Sequence, residues 1–364
     1  MLTRFTLAAA FGIALALAGG AAFAAGSTDV GPSGSAGVGP GSGTAAGSTG
    51  VSAGPAQSRA TDAPGPAASA AFDLQSHRGG RGEITENTLA AFEHSLAVGV
   101  TTLELDTHLT ADGAVVVWHD DVLTAEKCRD TAPLWLGDPA FPYADAPVRS
   151  LTLGQIQTLD CGYQQLGGYP EQVHQPDSRV PELRAVLDLA SGHPTVRLNI
   201  ETKALEPGEP ALLELTRAVV RAVTASGLNH RVGLQSFDWA SLNLAQRLDP
   251  QLRLTALSRG DAWLARGEPG ASPHLGGLDI DDHGGSLARA VAFAGYDAIS
   301  PAHATVTAQM VTDAHSLGLS VIPWTVSDPA HMHALIDLGV NGLITDHPTR
   351  LRAVMQDRGM TLSP

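Results

Sequence analysis

Eight short apolar runs recur along this chain, and helix-like segments separate most of them. That alternation constrains the fold more than any other feature of the sequence. The runs lie at 72–77, 102–107, 195–201, 231–235, 253–257, 296–300, 320–325 and 342–345. Amphipathic stretches fall at 85–98, 209–226, 238–248, 305–317 and 328–338. Strands that alternate with helices run parallel, and eight such units close into a TIM (β/α)8 barrel. The alternative is an open doubly wound sheet, but no G-x-G-x-x-G follows the first run, which argues against its dinucleotide-binding version. One connection breaks the alternation. Between 102–107 and Val115-Val116-Val117-Trp118 lie only a few residues, too few for a parallel crossover. Asp112-Gly113 in that gap is a hairpin-turn signal, so 114–119 is predicted to fold back antiparallel and deliver His119 beside the barrel mouth.

The ends of the 364-residue chain differ from its middle. Residues 1–24 read as a secretory signal peptide: Arg4, an apolar run from Phe5 to Leu17, then Ala22-Phe23-Ala24 as a small-x-small cleavage site. The run falls short of the ~20 residues of a membrane span. Residues 25–68, nearly all Gly, Ala, Ser, Thr, Pro and Val, read as a disordered linker. The folded unit is 72–358, and a secreted or periplasmic location follows from the leader. No second apolar 20-mer appears, so no integral membrane segment is expected in the mature protein. The formal charge of −15 argues against nucleic acid and anionic membrane surfaces as partners. It leaves a phosphate-bearing small molecule open, because a local metal with Arg and Lys can invert the field. Oligomeric state is not legible.

Residues 121–180 interrupt the barrel pattern and hold both cysteines, Cys128 and Cys161. An insertion at this point is expected to form a small cap over the active face, part helical at 151–159. In an exported chain two cysteines either pair or stay as buried thiols. Export favours a disulfide, closing a loop of roughly 33 residues and contributing about 3–4 kcal/mol in the chain-entropy model.

The polar residues that end the apolar runs carry the chemistry. Glu104 and Asp106 are two apart on a strand and share a face. Glu201 ends the next parallel strand, with Lys203 on the same face. Converging carboxylates repel unless a pKa rises or a cation binds, and an all-oxygen set suits Ca²⁺ or Mg²⁺, and also Mn²⁺. His77 ends the first strand before Arg78-Gly79-Gly80, and His119 ends the hairpin strand beside Asp120. Two histidines facing across a phosphate can act as base and acid, and the Arg78 fork matches two phosphate oxygens. Of the 14 histidines, His94, His108, His174, His193, His230, His315, His331 and His333 are assigned to surface or packing. Trp324 either walls the mouth or packs in the core. Asp279, Asp281, Asp282 and His283 form an acidic loop, read as solvated rather than as a second cation site.

Taken in order, His77-Arg78-Gly79, Glu86-Asn87-Thr88, Glu104-Leu105-Asp106, Asp112-Gly113, His119-Asp120, Glu201-Thr202-Lys203, Gln235-Ser236-Phe237, Trp324-Thr325-Val326 and Gly342 to Pro348 resemble the glycerophosphodiester phosphodiesterase family across nearly the whole folded unit. The insertion looks like that family's small inserted domain. The resemblance implies a metal-dependent barrel enzyme releasing glycerol 3-phosphate and an alcohol. Glu104, Asp106 and Glu201 would be metal ligands, with Glu86 near the metal. His77 and His119 would be the acid–base pair, Arg78 would bind phosphate and Lys203 would help; Gln235 and Trp324, from their strand-end positions, are expected to contact substrate. Ser76 and Thr85 depart from the family's common Gly and Pro without removing a functional group. Two alternatives stay open: a lysophospholipid or sphingomyelin-type phosphodiesterase on the same barrel, and a non-catalytic polyol-phosphate binding protein.

Overall fold

A computed structural model describes residues 71–203 and 209–362. The expected leader 1–24 and linker 25–68 lie outside the described residues. Nine strands form one sheet: β1 (Asp73–Ser76), β2 (Thr102–Leu109), β3 (Val115–Val117), β4 (Arg197–Thr202), β5 (Val232–Ser236), β6 (Arg253–Ser258), β7 (Ala298–Pro301), β8 (Ser320–Val321) and β9 (Gly342–Thr345). All but β3 run parallel, in the spatial order β8-β7-β6-β5-β4-β2-β1-β9. Backbone bonds from Asn341 N to Val321 O, Ile344 N to Pro323 O and Val326 N to Ile344 O join the two ends, so the eight parallel strands form a nearly closed TIM barrel. The sequence predicts 320–325 as a strand. The regular β8 ladder ends at Val321; Pro323, which has no N–H, follows two residues later, and pairing with the β7 side recurs only as the single bridge Ala302↔Trp324.

The hairpin forms as predicted, with β3 antiparallel to β2 in the register Thr107↔Val117. The helix expected at 85–98 spans Leu89–Val98, because Thr88 accepts from Ala91 N as its N-cap and leaves Glu86 and Asn87 in the preceding turn. Gly99, at φ 81°, ends it.

Apolar side chains from the strands and surrounding helices form the main core, with Phe92, Leu105, Ile200, Leu234 and Trp239 fully buried. The insertion has a second core of its own, built from Leu123, Tyr143, Leu151, Ile156 and Leu159 around Val116 and Trp118. Cys128 and Cys161 lie in that cluster and are joined as a disulfide. Only Leu153–Ile156 of the predicted 151–159 is α-helical; Thr152 and Gln155 close a capping box at its start. Backbone bonds between Val173 and Glu83 and between Thr85 and Val173 tie the end of the insertion to the loop after β1. Among the described residues no helix is long and apolar enough to cross a membrane.

Candidate active site

Parallel pairing sets Asp106 directly beside Glu201, and Glu104 beside Asn199. The two-residue period of β2 then turns both carboxylates inward, while Leu103 and Leu105 enter the apolar core. Oxygens of Glu104, Asp106 and Glu201 lie within 4.8 Å of one another, all three residues being buried. Glu104 accepts from the Arg78 backbone N–H (2.9 Å) and from Gln235 Nε2 (2.8 Å). Asp106 Oδ2 accepts from Asn87 Nδ2 (3.2 Å) and faces Arg78 Nε (3.1 Å). Lys203 Nζ sits 2.9 Å from Glu201 Oε1.

A cation fits this cluster on the structure's own terms. Asp106 Oδ1 is buried and accepts no hydrogen bond; Lys203 Nζ is 3.7 Å away. Burial, Asp106 and Glu201 together push the Glu104 carboxyl well above its ordinary value. Burial would raise Asp106 too, but Arg78, His119 and Lys203 outweigh it and hold it far below the carboxylate range. Three carboxylates thus share one buried space with incomplete compensation, the circumstance in which an oxygen-liganded divalent ion is stabilising.

Arg78 sits at φ 52° and Asn87 at φ 54°, a left-handed conformation that costs non-glycine residues roughly 1–3 kcal/mol. Both turn a side chain onto Asp106, and Asn87 N bonds Arg78 O, so the two turns brace each other. Gly79 has no room for a side chain: a Cβ there would lie 2.7 Å from Ala91 Cβ.

The histidines are held alike. His77 Nδ1 lies 2.6 Å from Asp346 Oδ1, and His119 Nδ1 lies 2.7 Å from Asp120 Oδ1. A carboxylate on Nδ1 fixes the ring and leaves Nε2 as the working nitrogen. Burial and the neighbouring Arg78 lower the His77 pKa despite Asp346, which favours the neutral imidazole. His108, assigned to packing, lies in the first strand of the hairpin, with Nε2 3.0 Å from the His119 carbonyl.

These groups line a cavity of about 300 Å³ that also takes in Tyr169 from the cap, Phe237, Arg259 and Trp324. Every sequence-predicted site residue reaches this region, in differing positions. His77, Arg78, Glu104, His119, Glu201, Lys203, Gln235 and Trp324 line the cavity. Asp106 lies beneath it at 1% exposure. Glu86 sits behind Arg78, with Oε1 3.2 Å from Arg78 Nη1 and Oε2 2.6 Å from Arg81 Nε. The Gln235 amide is engaged by Glu104 and by Asn199 (2.7 Å), so it supports the carboxylate floor. Trp324 both walls and packs: it meets Phe237 edge-on at 5.3 Å and donates Nε1–H to Ser300 O. In the acidic loop Asp279 and Asp281 accept from backbone N–H groups within the loop and of Gly267.

Sequence reasoning did not single out Arg81, Lys127, Tyr169 or Arg259 as site residues. Arg81 stacks over Tyr169 at 4.6 Å, and Lys127 reaches Glu86 and Asp120 at 2.8 and 2.5 Å. Lys127 and Tyr169 come from the cap, whose folding onto the barrel has no local sequence signal.

The family model for glycerophosphoryl diester phosphodiesterases matches residues 77–350. A glycerophosphodiester phosphodiesterase of Caldanaerobacter subterraneus subsp. tengcongensis is 27% identical over 286 residues, 78% of this chain and 97% of the relative. A crystal structure from Silicibacter pomeroyi, of a protein assigned as a glycerophosphoryl diester phosphodiesterase, matches at 33% identity with a TM-score of 0.67, covering 80% of this chain and 95% of that one. A shorter stretch of 128 residues is 35% identical to the human lysophospholipase D GDPD1, 35% of each chain. With the match running from the His77 turn at the end of β1 to the last helix of the barrel, the chain belongs to the glycerophosphoryl diester phosphodiesterase family and is an enzyme, a hydrolase of phosphoric diesters.

Proposed function

We propose that the cavity hydrolyses glycerophosphodiesters to glycerol 3-phosphate and an alcohol, with His77 and His119 as the acid–base pair. The observation that carries this reading is the pair of histidines, each seated on an aspartate through Nδ1, in a cavity floored by three carboxylates. Glu104, Asp106 and Glu201 would hold the divalent ion, Ca²⁺ or Mg²⁺ by their oxygen-only chemistry. When bound, such an ion supplies positive charge to the non-bridging phosphoryl oxygens.

The chain's own residues do the rest. Arg78, fixed by Glu86 and Asp106, and Lys203, on Glu201, offer N–H donors to the phosphoryl oxygens as charge develops. One histidine takes the proton of the glycerol 2-hydroxyl at Nε2 as that oxygen bonds to phosphorus. The bond from phosphorus to the head-group oxygen breaks, and the other histidine protonates the departing alcohol. Water then opens the cyclic phosphate with the two roles exchanged. Trp324 and Phe237 form the apolar wall against which the carbon face of the glycerol would rest. The Cys128–Cys161 disulfide fits an oxidising compartment, which supports export by the N-terminal leader.

The test is release of glycerol 3-phosphate from a panel of glycerophosphodiesters, with chelator and with Ca²⁺, Mg²⁺ or Mn²⁺ restored. Turnover that needs metal is expected. No release from any diester in any metal would overturn the reading. A lysophospholipid belongs in the panel, because a 128-residue stretch of this chain is 35% identical to a lysophospholipase D. Preference for it over every water-soluble diester would move the substrate class to lipids.

A further inference from the structure

Lys127 is outside the cavity lining, yet it touches two of the carboxylates that orient the groups in it. Its Nζ lies 2.5 Å from Asp120 Oδ2 and 2.8 Å from Glu86 Oε1. The other oxygen of Asp120 holds His119 Nδ1, and Glu86 holds Arg78 and Arg81. The side chain is only 12% exposed and runs past the Trp118 ring, whose centroid is 5.5 Å from Nζ. A buried ammonium with two carboxylate partners at hydrogen-bond distance is fixed far more tightly than an exposed ion pair.

What fixes its backbone is the cap. Residues 124–128 form a tight turn in which the Lys127 and Cys128 amides both bond to the Thr124 carbonyl. The next side chain, Cys128, is fully buried in the cap core and bonded to Cys161. Arg129 then pairs with Asp160 through both backbone bonds, the neighbour of the other cysteine. The covalent closure of the cap and the placement of Nζ are therefore one residue apart.

We propose that Lys127 is a positioning residue for the reaction, held by the disulfide-closed cap, which sets His119 through Asp120 and Arg78 through Glu86. It makes the cap part of the catalytic geometry as well as a cover. Removing its charge leaves Asp120 free to turn from His119, and a small misplacement of an acid–base group costs on the order of 10²-fold in rate. The proposal rests on the acid–base reading of His119 given above.

The test compares Lys127→Met, Lys127→Arg and Cys128→Ser/Cys161→Ser, singly and combined, in the metal-loaded enzyme. K127M should lower kcat by about 10–100-fold with KM within about 3-fold, and K127R should recover part of the loss. The cysteine pair should lower kcat in the parent and by a clearly smaller factor in K127M, because part of its effect acts through the same ammonium. Full kcat in K127M, a loss confined to KM, or losses that multiply would each overturn the proposal. A second readout does not depend on turnover. The imidazole ¹⁵N signals of His119 should report a fixed tautomer in the parent and an averaged one in K127M. An unchanged His119 signal there would also overturn it. If K127M does not fold, K127R and the cysteine pair carry both readouts. If the parent releases no glycerol 3-phosphate, the substrate reading fails, and the ¹⁵N signals alone decide on Lys127.

Discussion

At the scale of single residues, each working group here is held by a second one, and the predictions follow those pairs. His77→Ala and His119→Ala should each lower kcat by at least ~10², the scale of general acid–base catalysis. Asp346→Asn should lower kcat comparably with the ring still present, because Nδ1 of His77 loses its charged acceptor and meets an amide that can also donate and favour the other tautomer. Near-normal turnover in D346N would show that the 2.6 Å contact does not set the ring. Glu86 gives a pH prediction. Burial pushes its carboxyl up, but Arg78, Arg81 and Lys127 outweigh that and hold it at about 2. A folded-state pKa below the unfolded one means stability that is fully present above the unfolded value and lost as pH falls through the folded one. Chemical denaturation of the parent and Glu86→Gln should therefore differ most above about pH 4.5, with the gap closing toward pH 2. A gap that stays constant with pH would show that Glu86 contributes by shape alone.

At the scale of elements, the barrel strands were legible and their exact ends were not. Predicted and observed strands agree to within about two residues except β8, where the prolyl nitrogen of Pro323 removes a ladder donor from an otherwise strand-like run. The start of the first helix moved from 85 to 89 because Thr88 is the N-cap, a competition between side chain and backbone that apolar periodicity does not record. The carboxylate cluster was legible because it depends on two local rules, the two-residue period of β2 and the parallel register of β4. Lys127 and Tyr169 were not, because their approach to the site depends on how 121–180 folds. The cluster yields an element-scale prediction. A divalent ion bound across β2 and β4 should stabilise the barrel, by about 2.7 kcal/mol at a free concentration 100 times its Kd. Thermal unfolding with increasing Ca²⁺ or Mg²⁺ should show that rise. Glu104→Gln, Asp106→Asn or Glu201→Gln should abolish it. An unshifted melting curve in the parent would remove the three carboxylates as ligands for those ions.

At the scale of the whole folded unit, two apolar cores share one site. The barrel core holds the strands that carry His77, the carboxylates and Lys203, while the cap core holds the disulfide beside Lys127. Val116 and Trp118, from the hairpin that ends in His119, belong to the cap core, so that histidine is seated at the boundary between the two. The cap has little regular secondary structure besides its single helical turn and short 3-10 piece, and its order rests on the small cluster and the Cys128–Cys161 bond. Loss of a crosslink spanning 33 residues costs about 3–4 kcal/mol in the chain-entropy model. That exceeds what a cluster of this size is expected to hold in reserve, whereas the barrel has the larger core. Cys128→Ser/Cys161→Ser should therefore open the cap locally before the barrel unfolds. Amide exchange should speed up across 121–180 while the protected amides of β2, β4 and β5 change little, and limited proteolysis should cut first within that same segment. If exchange rose equally in the barrel strands, the two cores would be one cooperative unit, and the disulfide would stabilise the fold as a whole rather than the ground on which His119 stands.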